Sequence, residues 1–504
     1  MAAATKVALE LKHPPKPADR KQPRPPATTA SLSSITVVAS TILKKIRSFP
    51  AGSSGGPDGL TLQHLKDLLG EGSDARLLEA LTSVTNIMLA GELSQKINDV
   101  LYRGRLLALK KKDGGLRPIV IGYTIRRLAA KCTNKYATEK LAPQLAPIQL
   151  GVGIPGGTEA AVHALGGTLK IYQTTTLLDF TNTFNTLRHD GMLKAIWREA
   201  RKIYNFAYAT YNGVPHLQFG DFTILSNEGP QQRDPLSALE FSLTIQPMLV
   251  SLTSELKTGI VDNITMAGRK NIVVKDIISI KNKTDMYGLV LNVVKCEVVY
   301  GDPLAPHDDD TLKDFQRVEL ENLTLLGAPV LPGRAIDKAI KQKTEKMEKA
   351  ISRLTLLQAH DALILLRNGT SVPKLLYTPR MSNCSENPLL VTYDTLQRKC
   401  LTDVINIDLN EDQWTQATLS IRDGGLGICN VAMLAPSALL ASAISTLQIQ
   451  NDRHPTGEIS WSSRQSTGHG YKLVEEAFRH RRPEDRAAHQ TEGVGQSRHE
   501  EKLD

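Results

Sequence analysis

Two aspartates at the ends of predicted strands could together hold metal ions. Asp179 ends an apolar, strand-forming run, and Asp262 lies at a tight turn about eighty residues later. Magnesium prefers carboxylate oxygens and substrate phosphates. Two such ions can clamp the attacking and leaving oxygens of an in-line phosphoryl displacement. The pair therefore predicts a nucleotidyl-transfer site, although the residue after Asp262, where a third acid would be expected, is Asn263.

Each of these residues also has a simpler interpretation when it is taken alone. Asp179 could be a solvated strand end, and Asp262 could be an ordinary turn residue, because Asp and Asn favour turns. The chemical interpretation depends on the two segments meeting in the folded chain, on neighbouring strands.

A basic hairpin is the next candidate. Lys110, Lys111, Lys112 and Arg117 surround the turn signal Asp113-Gly114, which is typical of a two-residue hairpin turn. These side chains could bind a triphosphate, the arginine through paired hydrogen bonds. The alternative is a charged face that is simply solvated.

Four further segments could take part in chemistry, and the first three also have a simple structural interpretation. Phe184 could stack under a sugar and exclude a 2′-hydroxyl, or it could belong to the core. Lys295 could protonate a pyrophosphate leaving group as a general acid, or it could be a surface lysine. The apolar segment 325–329 could pack under a nucleic-acid strand or be core, and the loop 229–236 could present polar groups to a nucleotide.

The elements that must position these residues are helices mixed with short hairpins, which indicates an α+β protein. Strands are predicted at 105–110 and 117–121 and around the turn Gly220-Asp221. The periodicity predicts helices over 60–69, 125–142, 157–169, 190–203 and 236–254, an exposed amphipathic helix over 334–366 and a buried helix over 431–449.

Composition favours a polyanionic partner. The chain has 504 residues, 41% of them hydrophobic, and a net charge of +9, an excess that suits nucleic acid. Its five cysteines show no paired spacing, which predicts no disulfide partner and an intracellular location, with nucleus or cytoplasm left open. No membrane span is expected. The proline-rich, basic residues 1–50 are predicted to be a disordered arm, and the polar residues 451–504 a disordered tail.

The order of these segments resembles the reverse transcriptases of LINE-type, non-LTR retrotransposons, over roughly residues 50–450. The resemblance implies that Lys111 and Arg117 hold the nucleotide phosphates and that Asp179 binds metal beside a sugar gate at Phe184. It also places Gln232 near the template–nucleotide pair and Asp262 in the Tyr-x-Asp-Asp box. Two later motifs follow, one carrying Lys295 and the other a primer grip at Leu326 and Gly327.

The resemblance implies a right-hand polymerase fold, with an antiparallel palm sheet and a helical thumb. Its RNA-directed DNA polymerase activity would use an RNA template, a DNA primer, dNTP and two Mg²⁺ ions, with Mn²⁺ as a substitute. Fingers are expected at 51–170, the palm at 171–330, and the thumb with connection helices at 331–450.

Three departures from the family pattern predict impaired chemistry. Asn263 replaces the second acid of the box, Ile260 replaces its aromatic residue, and Arg233 replaces a glycine after Gln232. Two other hypotheses therefore stay open. One is a protein of this fold that binds nucleic acid without synthesis, and the other is an inert remnant of an element.

Overall fold

The computed structural model describes residues 2–23, 25, 34–70, 75–111, 114–169 and 171–452. The predicted tail lies outside these residues from 453 onward, and so do Lys112 and Asp113 of the basic hairpin. Within the described part of the chain, no helix is long and apolar enough to cross a membrane. Each of the five cysteines has a free thiol.

The strands of the described residues are short. In chain order they are β1 (Gly104–Lys110), β2 (Leu116–Gly122), β3 (Thr174–Leu178), β4 (His216–Phe219), β5 (Phe222–Leu225), β6 (Leu256–Ile260), β7 (Asn263–Gly268), β8 (Glu297–Tyr300), β9 (Gln316–Arg317), β10 (Thr324–Leu325) and β11 (Ala328–Pro329).

Helices account for most of the regular structure. They are α1 (Ala2–Glu10), α2 (Ala39–Arg47), α3 (Leu62–Leu68), α4 (Ala75–Ala90), α5 (Gln95–Leu101), α6 (Thr124–Leu145), α7 (Gly157–Thr168), α8 (Thr183–Thr186), α9 (His189–Glu199), α10 (Arg201–Tyr211), α11 (Ser237–Val250), α12 (Lys270–Tyr287), α13 (Arg334–Leu354), α14 (Ala359–Leu365), α15 (Val372–Leu375), α16 (Tyr377–Met381), α17 (Pro388–Ile405), α18 (Glu411–Thr418), α19 (Val431–Ser445) and α20 (Leu447–Asn451). Short 3₁₀ turns cover Val293–Lys295, Leu320–Asn322 and Ile421–Asp423, and a π-helical turn covers Leu366–Thr370.

Within the described residues, the chain divides into two compact units. The first comprises 1–161 and 169–319, and the second comprises 162–168 and the residues from Leu320 onward. The ranges predicted as fingers and palm both contribute to the first unit, and the division falls before the predicted palm boundary at 330. The names fingers, palm and thumb stay predictions.

A five-stranded sheet in the first unit has the order β6-β7-β3-β8-β9. Its pairings are antiparallel except for the parallel pair β8–β9. The central strand β3 is rich in threonine, which suits strands because it is β-branched, and four of its five side chains are buried. Helix α12 packs against β3 and β7, so the sheet is held by an apolar core.

A second sheet in this unit has four strands in the order β2-β1-β4-β5. The hairpin β1–β2 pairs Lys110 with Leu116, and β1 pairs with β4 in parallel. Helix α1 covers this sheet, because Leu9 is fully buried against apolar side chains of the strands.

The second unit is mostly helical, with the two-stranded hairpin β10–β11. Its core is built from the apolar faces of α13, α17 and α19. The predicted exposed helix over 334–366 is two helices, α13 and α14, and α13 is not merely exposed, since Ile336, Ile340 and Met347 are buried.

Three other parts of the first unit differ from the sequence expectations. Part of the predicted disordered arm is ordered, because α1 and α2 form and bury apolar residues against neighbours. The predicted helix over 190–203 is broken at Ala200 (φ −137°) into α9 and α10. The turn predicted at Asp262-Asn263 lies one residue earlier, because Asn263 already pairs with Ile260.

In the second unit, Asp394 of α17 holds the first turn of α19. Its carboxylate accepts hydrogen bonds from the backbone N–H groups of Val431 (2.7 Å) and Ala432 (2.9 Å). The first N–H groups of a helix have no partner within the helix. The carboxylate therefore satisfies two of them and also favours the positive end of the helix dipole.

We expect Asp394→Ala to lower the free energy of unfolding by about 2 kcal/mol, because two backbone N–H groups lose their carboxylate acceptor. Thermal unfolding of the full chain measures the change. The control is Asp403→Ala, which removes an exposed carboxylate from the same helix and should leave the midpoint unchanged. Equal midpoints for the two variants would contradict this role of Asp394.

Candidate active site

One cavity in the first unit gathers most of the residues that the sequence singles out. It has a volume of about 1010 Å³. Its lining includes eight predicted site residues: Asp179, Asp262, Asn263, Lys295, Lys111, Arg117, Phe184 and Gln232. Two carboxylates and three basic side chains from widely separated segments therefore face one space.

Asp179 follows directly on the central strand β3. The backbone carbonyl of Asp179 accepts a hydrogen bond from the N–H of Asn292 (2.8 Å), and the N–H of Thr181 donates to Val290 (2.8 Å). The backbone of residues 179–181 is thereby held to residues 290–292, and this fixes the position of the Asp179 backbone at the end of the sheet.

Asp262 lies in the two-residue turn between β6 and β7. Because β7 runs antiparallel to β3 with Ile264 opposite Leu178, this turn lies at the same end of the sheet as Asp179. The Asp262 carboxylate accepts hydrogen bonds from the Thr183 hydroxyl (3.3 Å) and from the Asn263 side-chain amide (3.3 Å). Asn263 is exposed and acts as a neutral donor where the resemblance implies a second acid.

Burial and neighbouring charges, that of Asp179 among them, act on the Asp262 carboxyl. Burial raises the pKa of the Asp262 carboxyl above its ordinary value. The Thr183 hydrogen bond lowers this pKa, the Asp179 charge raises it again, and the Arg117 charge lowers it. Because like charges disfavour ionisation, a cation between the two carboxylates would relieve their repulsion.

These residues fit a divalent cation in their chemistry, since carboxylate oxygens in a polar cavity are the ligands that Mg²⁺ prefers. Among the described residues, however, no group of three or more His, Cys, Asp or Glu side chains is arranged to hold a metal ion. The site thus offers two carboxylates, and Asn263 stands where the resemblance implies a further acid.

The basic hairpin contributes Lys111 and Arg117 to the cavity. The backbone of Lys111 closes the hairpin tip by donating to Gly115 (2.7 Å). Arg117 lies opposite Leu109 at the start of β2 and is exposed. Both positions leave the cationic groups accessible to an anionic ligand.

Phe184 and the loop 229–236 approach each other closely. The Phe184 ring packs on Phe241 with centroids 5.3 Å apart. Gly229 has φ +76°, and a Cβ added there would lie 1.9 Å from the backbone oxygen of Phe184. Only glycine can occupy this position, so the loop carrying Gln232 is held against the segment that follows Asp179.

A buried polar network lies beneath that loop. Arg126 of α6 forms an ion pair with Asp234 (3.1 Å) and a hydrogen bond with the side chain of Gln231. The backbone N–H of Gln231 donates to the Tyr211 hydroxyl (3.4 Å), which itself donates to Glu240 (3.1 Å). All of these side chains are nearly inaccessible, so the network fixes the loop from below.

Arg233 occupies a strained backbone position within the same loop. Its φ is +77°, a region that glycine adopts freely and larger residues adopt rarely. The side chain is exposed. The glycine that the family resemblance implies would fit this backbone without strain.

The N-terminal segment supplies a residue that sequence reasoning missed. Lys12 lines the cavity, and its carbonyl accepts a hydrogen bond from the Asn182 side chain (2.6 Å). Further along, Arg20 forms a buried ion pair with Glu228 (3.2 Å). No local signal places residue 12 beside residue 182, because the contact forms only in the folded chain.

Thr183 and Asn292 are also functional candidates that the sequence did not single out. Thr183 follows Asp179 closely in the chain, and a polar residue so near a candidate ligand is a signal that could have identified it. Asn292 is the residue before the 3₁₀ turn that ends at Lys295, and it lines the cavity. Its backbone bond to Asp179 has no signature in the sequence.

Leu326 and Gly327, the predicted primer grip, belong to the second unit. They form the two-residue turn between β10 and β11, with φ of +54° and +78°. The Tyr377 hydroxyl donates to the Leu326 carbonyl (3.1 Å). Their role as a primer grip stays a prediction.

Comparison with known proteins gives one informative similarity. No family model matches the sequence. The chain is 22% identical over 435 residues to the retrotransposable element SLACS 132 kDa protein of Trypanosoma brucei gambiense. The match covers 82% of this chain and 35% of that protein, so the chain spans about a third of the length of this relative.

A structural similarity is weaker. The chain is similar to apo telomerase from Candida tropicalis, truncated from the C-terminal domain, with a TM-score of 0.32 and 12% identity. The similarity covers 41% of this chain and 52% of that one. At this TM-score the likeness carries no argument about fold or function.

Glu240 should make stability depend on pH. Burial raises the pKa of its carboxyl from 4.5 to about 8. The native state therefore keeps a proton that the unfolded chain has already released, and stability falls as pH rises between these values. We expect Glu240→Gln to raise the unfolding midpoint relative to the unmodified chain, by an amount that grows from about pH 5 to about pH 9.

The control for this series is Glu199→Gln, which changes an exposed glutamate. Its midpoint should differ from that of the unmodified chain by the same amount at every pH. A constant difference for Glu240→Gln would show that the pKa of Glu240 is the same in the folded and the unfolded chain, and would contradict the raised pKa.

Arg20→Ala should release the N-terminal segment. The change leaves the buried Glu228 carboxylate without its charge partner, which costs about 3–5 kcal/mol when the site stays closed. The segment is therefore expected to detach, and hydrogen–deuterium exchange of residues 11–23 should become faster. Lys16→Ala removes an exposed charge from the same segment and should leave the exchange unchanged; equal exchange in both variants would contradict the anchor.

Proposed function

We propose that the chain is a reverse-transcriptase-like domain whose site is built for RNA-directed DNA synthesis, with reduced activity. The observation that carries the proposal is the joint presence of Asp179, Asp262, Lys111 and Arg117 around one cavity. The similarity to a retrotransposable element protein over most of this chain supports the same class.

Asp179 and Asp262 are the residues that would hold divalent cations. Two Mg²⁺ ions bound there would neutralise charge on the attacking and leaving oxygens of a phosphoryl displacement. Lys111 and Arg117 would bind the triphosphate, the arginine through its planar pair of donors. Lys295 would deliver a proton to the pyrophosphate that leaves.

Two other residues would set which substrate fits. Phe184, packed on Phe241, presents a fixed ring that would limit space at the sugar. Gln232 projects from a loop held by the buried network below it, and its backbone carbonyl accepts a hydrogen bond from Val120 (3.3 Å). A polar side chain held in this way can contact a base pair with little loss of conformational entropy.

A second candidate function is nucleic-acid binding without synthesis. The observation that favours it is the hydrogen bond from the Asn263 amide to Asp262, where a further acid would add metal affinity. The basic side chains around the cavity would still attract a phosphate backbone, with an affinity that falls steeply as salt rises.

Primer extension on an RNA template distinguishes these functions. We expect little or no extension by the unmodified chain in Mg²⁺ or Mn²⁺. The double variant Asn263→Asp with Arg233→Gly should gain activity, since it adds a metal ligand and removes strain at φ +77°. A gain of about 100-fold corresponds to about 2.7 kcal/mol of transition-state stabilisation.

The matched control is the same double variant with Asp179→Asn, which should lose the gained activity. Robust extension by the unmodified chain would exclude the binding-only function. If neither form extends a primer but both bind RNA–DNA hybrid with a steep salt dependence, binding alone is the function. Absence of hybrid binding would overturn both proposals.

A further inference from the structure

The turn that carries Asp262 is strained at the residue before it. Val261 has φ +58°, although the left-handed region is a genuine outlier for a β-branched residue. Two-residue hairpin turns with a positive φ at the first central position usually have glycine there. The turn therefore needs a contact that holds Val261 in place.

Gln149 supplies that contact through its side-chain amide. The N–H of Val261 donates to Gln149 Oε1 (2.7 Å), and Gln149 Nε2 donates to the Val261 carbonyl (3.2 Å). Gln149 is fully buried. One amide group thus satisfies both backbone groups of the strained residue, and in a buried site such bonds are costly to lose.

The backbone around Gln149 adds to this restraint. Gly259 of β6 donates to Ile148 (2.8 Å) and accepts from Leu150 (2.8 Å), which makes 148–150 a short parallel neighbour of β6. The approach is tight, since a Cβ added to Gly151 would lie 2.7 Å from the Val261 nitrogen. The segment therefore approaches the turn so closely that a side chain at position 151 would not fit.

We propose that Gln149 is a positioning residue for Asp262, acting through Val261 to hold the carboxylate towards Asp179. This inference rests on the proposed function, in which Asp262 binds a divalent cation. Gln149 does not line the cavity and touches neither substrate nor metal. Its effect is carried by the backbone of one intervening residue.

A double-variant experiment tests the proposal on the full chain. The variants are Gln149→Ala, Val261→Gly and the two combined. Mn²⁺ binding without nucleic acid is measured by electron paramagnetic resonance, and hydrogen–deuterium exchange is measured for residues 256–264. We expect Gln149→Ala to weaken Mn²⁺ binding about 10-fold, as loss of a ligand-orienting contact typically does.

Val261→Gly alone should change Mn²⁺ binding little. In the combined variant it should restore most of the lost affinity, because glycine adopts the positive φ without help. Exchange in 256–264 should be faster in Gln149→Ala, since the Val261 N–H loses its acceptor. The control is Gln246→Ala, another glutamine whose side chain donates to backbone carbonyls, those of Gln144 and Leu145, and it should change neither readout.

Each remaining outcome decides the matter. Unchanged Mn²⁺ binding in Gln149→Ala would overturn the proposal. A loss that Val261→Gly fails to rescue, together with a lower unfolding midpoint, would assign Gln149 a general folding role and also overturn it. If the unmodified chain binds no Mn²⁺, the proposed function fails, and hydrogen–deuterium exchange alone tests the role of Gln149. Faster exchange of residues 256–264 in Gln149→Ala then supports the positioning role, and unchanged exchange overturns it.

Discussion

The meeting of two carboxylates at one end of a sheet is the constraint on which the proposed site depends. Pairing of β3 with β7 brings Asp179 and Asp262 to the same edge, and burial makes the charge of Asp262 costly. The Thr183 hydroxyl, the Asn263 amide and the Arg117 charge each offset part of this cost. Carboxylates with perturbed pKa values cluster at functional sites, and this favours the cation site proposed here.

Basic side chains also line the cavity that holds the two carboxylates. Lys111, Arg117 and Lys295 line the cavity together with Lys12 of the N-terminal segment. Two acids within a ring of basic groups suit a ligand that is anionic but brings metal ions with it, and a nucleotide triphosphate or a phosphate backbone has this chemistry. Asn263 shifts the balance, because it keeps the turn and gives a hydrogen bond but contributes no negative charge.

Support for the cavity comes from residues that never face it. Arg126 and Glu240 belong to a buried network that fixes the loop carrying Gln232. Gln149 holds the strained backbone beside Asp262, and Arg20 ties the N-terminal segment down through Glu228. Such restraints keep reactive groups in place before a ligand binds, so that little ordering is required upon binding.

Local signals in the sequence were sufficient for several elements and for eight of the residues that line the cavity. Alternating and helical periodicities predicted β1, β2, α6 and the strand that ends at Asp179, because side-chain burial repeats with the geometry of each element. The tertiary structure alone decided that residue 12 lines the cavity and that residue 149 bonds to the backbone of Val261. It also decided that Val261 rather than Asn263 occupies the turn, and that part of the predicted disordered arm is ordered. These features depend on hydrogen bonds and ion pairs between residues more than a hundred positions apart, and such contacts leave no periodic trace in the chain.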